Sequence, residues 1–140
     1  MNKIILLFIA FTLPLFLVGC SDHVQLSGQV TYSDDGTPLE AGTVIFQTDT
    51  FQARGSIGAE GRYTLATLKE GDGLPPGKYT VYVNSAFRGE LPPGAAFPVQ
   101  IELITPKYAS PDTSGLEVDV DRSTRTFDFQ VDRAPGSKRE

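Results

Sequence analysis

Turn-forming residues are spread so densely along this chain that long helices have nowhere to form. Beyond residue 19, 121 residues hold 13 of the 14 glycines and 9 of the 10 prolines, and each interrupts a helical hydrogen-bond ladder or costs it entropy. Between these breaks the apolar residues recur with period two. Gln25 to Tyr32 sets Leu26, Gly28, Val30 and Tyr32 on one face and Gln25, Ser27, Gln29 and Thr31 on the other, the pattern of a half-buried strand. Ser33 to Pro38 is a turn. Thr43 to Thr48 is β-branched and aromatic, and Gln52 to Gly58 is expected to pair with Arg62 to Thr67 across Ala59-Glu60-Gly61. Lys78 to Asn84, Leu116 to Val120 and Thr126 to Asp132 alternate in the same way, the last with Phe127, Phe129 and Val131 inward. Six or seven short strands without an amphipathic helix predict an all-β fold, an antiparallel β-sandwich of about seven strands over residues 25–133. Residues 134–140 read as a flexible polar tail.

The first nineteen residues are of another kind. Lys3 is followed by an apolar run from Ile4 to Val18, broken only by Thr12 and Pro14, and Leu17-Val18-Gly19 precedes Cys20, the only cysteine. The run is short for a spanning helix, which needs about 20 apolar residues, and has the layout of an export signal. It resembles a bacterial lipoprotein signal peptide with its lipobox. That resemblance implies cleavage between Gly19 and Cys20 and a lipid on Cys20 that anchors the protein to a membrane. Ser21 after the cysteine implies, by the sorting rule of enteric lipoproteins, the periplasmic face of the outer membrane. Residues 20–24 then form a short tether, of which Ser21 to Val24 span at most about 14 Å. Without the signal, 11 basic residues face 17 acidic ones, a net charge of −6, which phosphate backbones repel, so nucleic-acid binding is not expected.

A family resemblance rests on five motifs in order: Gly28-Gln29-Val30-Thr31-Tyr32, Gly36-Thr37-Pro38-Leu39, Gly42-Thr43-Val44-Ile45-Phe46, Gly61-Arg62-Tyr63-Thr64-Leu65, and Pro75-Pro76-Gly77 running into Lys78-Tyr79-Thr80-Val81-Tyr82-Val83. Over residues 25–84 the chain resembles the carboxypeptidase regulatory-like domain, which implies a transthyretin-like (prealbumin-like) sandwich. Thr105 to Tyr108 and Thr113 to Leu116 are similar to the closing part of small envelope lipoproteins of that family, most without assigned activity.

Residues able to do chemistry are scarce. His23 is the only histidine and stands three residues from Cys20, so neither a nucleophile–histidine pair nor a zinc site has its components elsewhere. The hydrolases related to transthyretin use histidines and a carboxy-terminal Tyr-Arg-Gly-Ser; Phe87-Arg88-Gly89-Glu90 shares only the central pair and lies mid-chain. No enzyme activity and no cofactor is expected. Carboxylates remain: Glu117, Asp119 and Asp121 on one strand and Asp128 with Asp132 on the next are expected to gather on one face of a terminal hairpin. Side chains on a flat sheet converge poorly on a cation that needs six to eight oxygen ligands, so the row reads as a solvated face, partly neutralised by Arg122 and Arg125. Cation binding by Glu117, Asp119 and Asp121, or carboxylate catalysis there, is the alternative. A sugar-stacking platform of Tyr63, Tyr82 and Tyr108 is another.

Ser85 to Ser114 joins two strands through thirty residues, long for a compact domain. Val99 to Ile104 alternates as a strand, whereas Ser85 to Pro98 reads as irregular. Phe87, Arg88, Leu91 and Phe97 there either contact an envelope protein partner or fold back, with the apolar three capping an open end of the sandwich. The expectation is a lipid-anchored, non-enzymatic binding or structural module of the cell envelope.

Overall fold

The alternation at the start of the domain is realised in β1 (Ser27–Tyr32), whose Gly28, Val30 and Tyr32 are buried while Ser27, Gln29 and Thr31 are partly exposed. This computed structural model describes residues 22–69 and 71–138. Among them the further strands are β2 (Thr43–Gln47), β3 (Gln52–Ser56), β4 (Arg62–Thr64), β5 (Gly77–Asn84), β6 (Phe87–Glu90), β7 (Val99–Glu102), β8 (Leu116–Val120) and β9 (Phe129–Val131), with one 3₁₀ turn at Pro106–Ala109. The signal segment and Cys20 lie outside the described residues.

Three small sheets result, with strand orders β4-β1-β9, β3-β2-β5-β8 and β6-β7. The first two share one core in which Val30, Val44, Phe46, Val81 and Val131 are fully buried. The centre is aromatic: Phe46 meets Phe127 edge-on at 5.8 Å and Tyr79 at 6.1 Å, geometries that suit ring quadrupoles. Glycine is required where this core is tightest. A Cβ on Gly28 would collide with the Phe127 carbonyl and stand 2.7 Å from the Tyr63 hydroxyl, which itself donates to that carbonyl.

The sheets depart from the expected ladders in three ways. Among the described residues there are nine strands, and Ser85 to Pro98 is not wholly irregular: β6 forms there and pairs with β7. The sandwich is not all antiparallel, since β9 runs parallel to β1, Val30 opposite Phe129. Two expected hairpins also divide between sheets. β3 ladders with β2 and β4 with β1, leaving a bridge at Arg54 and Ala66 and the Gly58 N–H to Arg62 carbonyl bond. β8 ladders with β5, and β9 with β1. Connected strands that would bury the same apolar face twice do better on opposite layers of one core.

The domain boundaries shift outward. Val24, placed in the tether, is buried and bridges Leu74, and Asp22 meets Arg122 at 3.0 Å. At the other end the tail is pinned at least to Ser137: Ala134 N–H donates to the Leu103 carbonyl, and the buried Ser137 hydroxyl to that of Ala134. Thr105 N–H donates in turn to the Asp132 carbonyl, so the two stretches satisfy donors of each other. β5, eight residues long, spans about 26 Å at roughly 3.3 Å per residue. Its first residue neighbours the end of β8 near the emerging Asp22, and its last leads into β6. The β6-β7 hairpin therefore stands at the opposite end of the body from residue 22.

Candidate functional site

The hairpin begins at a sharp corner. Ser85 holds a positive φ of 56° and accepts a bond from Phe87 N–H, which turns the chain out of β5. In the β6-β7 register Arg88 faces Ile101 and Glu90 faces Val99, so these four side chains share one face and Phe87 points to the other. Arg88 looks inward: its guanidinium is only 14% exposed, donates to the Ser137 carbonyl at 2.9 Å, and lies 3.7 Å from Glu40 and 3.3 Å from Glu90. Of the four predicted contact residues, Arg88 is thus the hook that holds the hairpin to the body.

Two of the other three are turned to water: Phe97 is 80% exposed and Leu91 62%, and Val99 on β7 is 45% exposed. Phe87 is 37% exposed, so most of its ring is covered. Leu91 and Phe97 therefore do not fold back to cap the sandwich.

An ionic collar surrounds the hairpin's base. Arg133 stacks on the Tyr32 ring at 3.5 Å and binds Asp34 and Asp35 at 2.9 and 3.0 Å. The hydrogen bond to Asp34 holds its guanidinium in the charged form. The Thr37 hydroxyl and N–H both donate to Asp35, which holds that carboxyl down at about 2. A shallow cleft of about 230 Å³ runs between Tyr32, Thr37, Arg88, Arg133 and Lys138. Each cation on it already faces a carboxylate, so the collar braces the loops and offers no free charge to a ligand. A larger cleft of about 580 Å³ follows β3 and β4. Among its described lining residues, which include Arg54, Arg62 and Lys69, there is no carboxylate or histidine to act as a general base.

The remaining expected groups do not come together. Glu117 pairs with Lys78 at 3.3 Å, whereas Asp121 accepts bonds from Ser123 and Thr124 that lower it to about 2. Asp132 lies in the other sheet, lowered by the bond from Lys107, and Asp128 accepts the Gln29 N–H. With β8 and β9 in different sheets, Glu117, Asp119 and Asp121 gain no second acidic row, and no group of three possible metal ligands occurs among the described residues. Tyr63, Tyr82 and Tyr108 are buried, which removes the sugar-stacking platform. His23 meets the Asp72 carbonyl at 3.2 Å and the Phe51 ring edge-on. Sequence reasoning missed the collar, although Asp34-Asp35 beside a turn was visible; its partner Arg133 is about a hundred residues away.

No protein-family model matches the sequence. No curated protein matches it either. Among solved structures, a 9R-lipoxygenase from Cyanothece PCC8801 aligns at 14% identity and a TM-score of 0.35, over 78% of this chain and 16% of that one. The chain thus corresponds to about a sixth of that protein's length.

Proposed function

We propose that this protein is a lipid-anchored, non-enzymatic β-sandwich of the carboxypeptidase regulatory-like, transthyretin-like type, held by Cys20 on the periplasmic face of the outer membrane, which binds an envelope protein through its β6-β7 hairpin. One observation carries the proposal: the most exposed aromatic ring of the described residues, Phe97, sits with Leu91 on a hairpin at the end of the body opposite Asp22. An anchor at one end leaves the other facing away from the bilayer. Exposed rings and leucines that the fold does not need are the usual centre of a protein contact. The hook and collar support this reading because they fix the hairpin in advance and so lower the ordering cost of association.

The test uses the full chain with Leu91→Ser and Phe97→Ser together, followed by crosslinking in intact cells and purification. The double variant should fold normally and lose the partner that the parent chain retains, and Cys20→Ser should lose both membrane attachment and partner. An unchanged set of crosslinked proteins in the double variant would exclude the hairpin as the contact.

A further inference from the structure

At the opposite end, Leu68 is 94% exposed, more than any other large apolar side chain described. It sits in a loop whose shape is imposed: the Asp72 carboxylate accepts the N–H groups of Thr67 at 2.6 Å, Leu68 at 2.8 Å and Lys69 at 3.1 Å, bonds that also lower its pKa. Thr67 adds a hydroxyl bond to the Gly73 carbonyl. A loop braced at four points holds its leucine out in water, where an apolar side chain gains nothing from folding.

The same loop is stitched to the start of the described chain. His23 Nδ1 lies 3.2 Å from the Asp72 carbonyl, the Gln25 amide donates to Gly71, and Val24 bridges Leu74. Leu68 and His23 thus both bond to Asp72, the one through its carboxylate and the other through its carbonyl, and His23 is three residues from Cys20.

We infer that Leu68 forms a second membrane contact, in which the leucine enters the acyl boundary. The inference rests on the anchor proposed above. A single lipid attachment leaves a domain free to tilt and turn, and a second contact beside it sets the body upright with the hairpin facing outward.

The full-length lipidated protein carries the test. In Leu68→Cys, the diacylglyceryl thioether on Cys20 leaves the new thiol as the sole free one, open to a polarity-sensitive fluorophore; Phe97→Cys is the matched control. The proteins are reconstituted in phosphatidylethanolamine–phosphatidylglycerol vesicles, with and without a lipid bearing a nitroxide near its headgroup. The label at position 68 should shift to the blue and be quenched by the nitroxide lipid, and the label at 97 should show neither effect. A protein that floats with the vesicles while its label at 68 emits as in water overturns the membrane contact and leaves the anchor standing. If the parent chain does not float and Cys20 itself reacts with the fluorophore, anchor and contact fall together.

Discussion

The body and the β6-β7 hairpin are built from the same residue types and use them in opposite ways. In the body, Phe46, Val81 and Val131 have no exposed surface and Leu26 has almost none; in the hairpin, Phe97, Leu91 and Val99 are exposed, and an arginine is drawn inward. The body is held by what it buries, and the hairpin by two polar attachments of Arg88, to Ser137 and Glu40, and the backbone bond between Leu103 and Ala86. Removing an apolar group should therefore matter greatly in one region and little in the other, while the reverse holds for binding.

The largest effect is expected at the centre of the body. Phe46→Ala should cost about 3–5 kcal/mol, read as a large fall in the midpoint of denaturant unfolding, because a rigid aromatic cluster around the lost ring cannot collapse to fill the space. Arg88→Ala comes next. It leaves the Ser137 carbonyl and Glu40 without this donor and should cost about 1–3 kcal/mol, with amide exchange rising in residues 87–102 well before it rises in β2 and β5. A loss spread evenly over the body would show that the hairpin is not a separable unit.

Acid should act on the loops at both ends. The carboxyls of Asp35 and Asp121 are each lowered to about 2 in the folded chain, Asp35 by the Thr37 hydroxyl and Asp121 by that of Ser123. Their contribution to stability is complete above the unfolded value of about 3.9 and is lost as pH falls through the folded one. The melting temperature should fall between about pH 4 and pH 2, and Asp35→Asn with Asp121→Asn should flatten that fall. The smallest stability effect belongs to the hairpin tip. Leu91→Ser with Phe97→Ser should change unfolding by no more than about 0.5 kcal/mol, measured by the same denaturant titration.

Much of this contrast was legible in the chain. Period two placed β1, β5 and β8, β-branched and aromatic composition placed β2, and the inward set of Phe127, Phe129 and Val131 joins or packs against the core. Gly28 fell on the inward face of that alternation, and the Phe127 carbonyl occupies the space that a Cβ there would need. Pairing was less legible, because alternation tells which face is buried and not which strand lies beside it. β3 and β4, joined by a tight turn, looked like a simple hairpin and instead cross between sheets. β6 was missed because Phe87-Arg88-Gly89-Glu90 has no apolar alternation; its ladder depends on Val99 to Glu102, ten residues further on. Of the site, Phe87, Leu91 and Phe97 were visible as apolar residues in a long loop. The inward role of Arg88 was not, since Ser137 and Glu40 come near it only after folding.

The central claim is a polarity: lipid at one end of the body and a protein partner at the other. It is tested most directly by placing a photo-crosslinking amino acid at Phe97 or at Leu68 of the full chain in intact cells, and analysing what each position captures. Position 97 should yield protein adducts of one discrete mass that disappear with Leu91→Ser, and position 68 should yield lipid adducts. Lipid adducts at 97, or a chain that captures no protein there while remaining folded and attached to the membrane, would contradict the account.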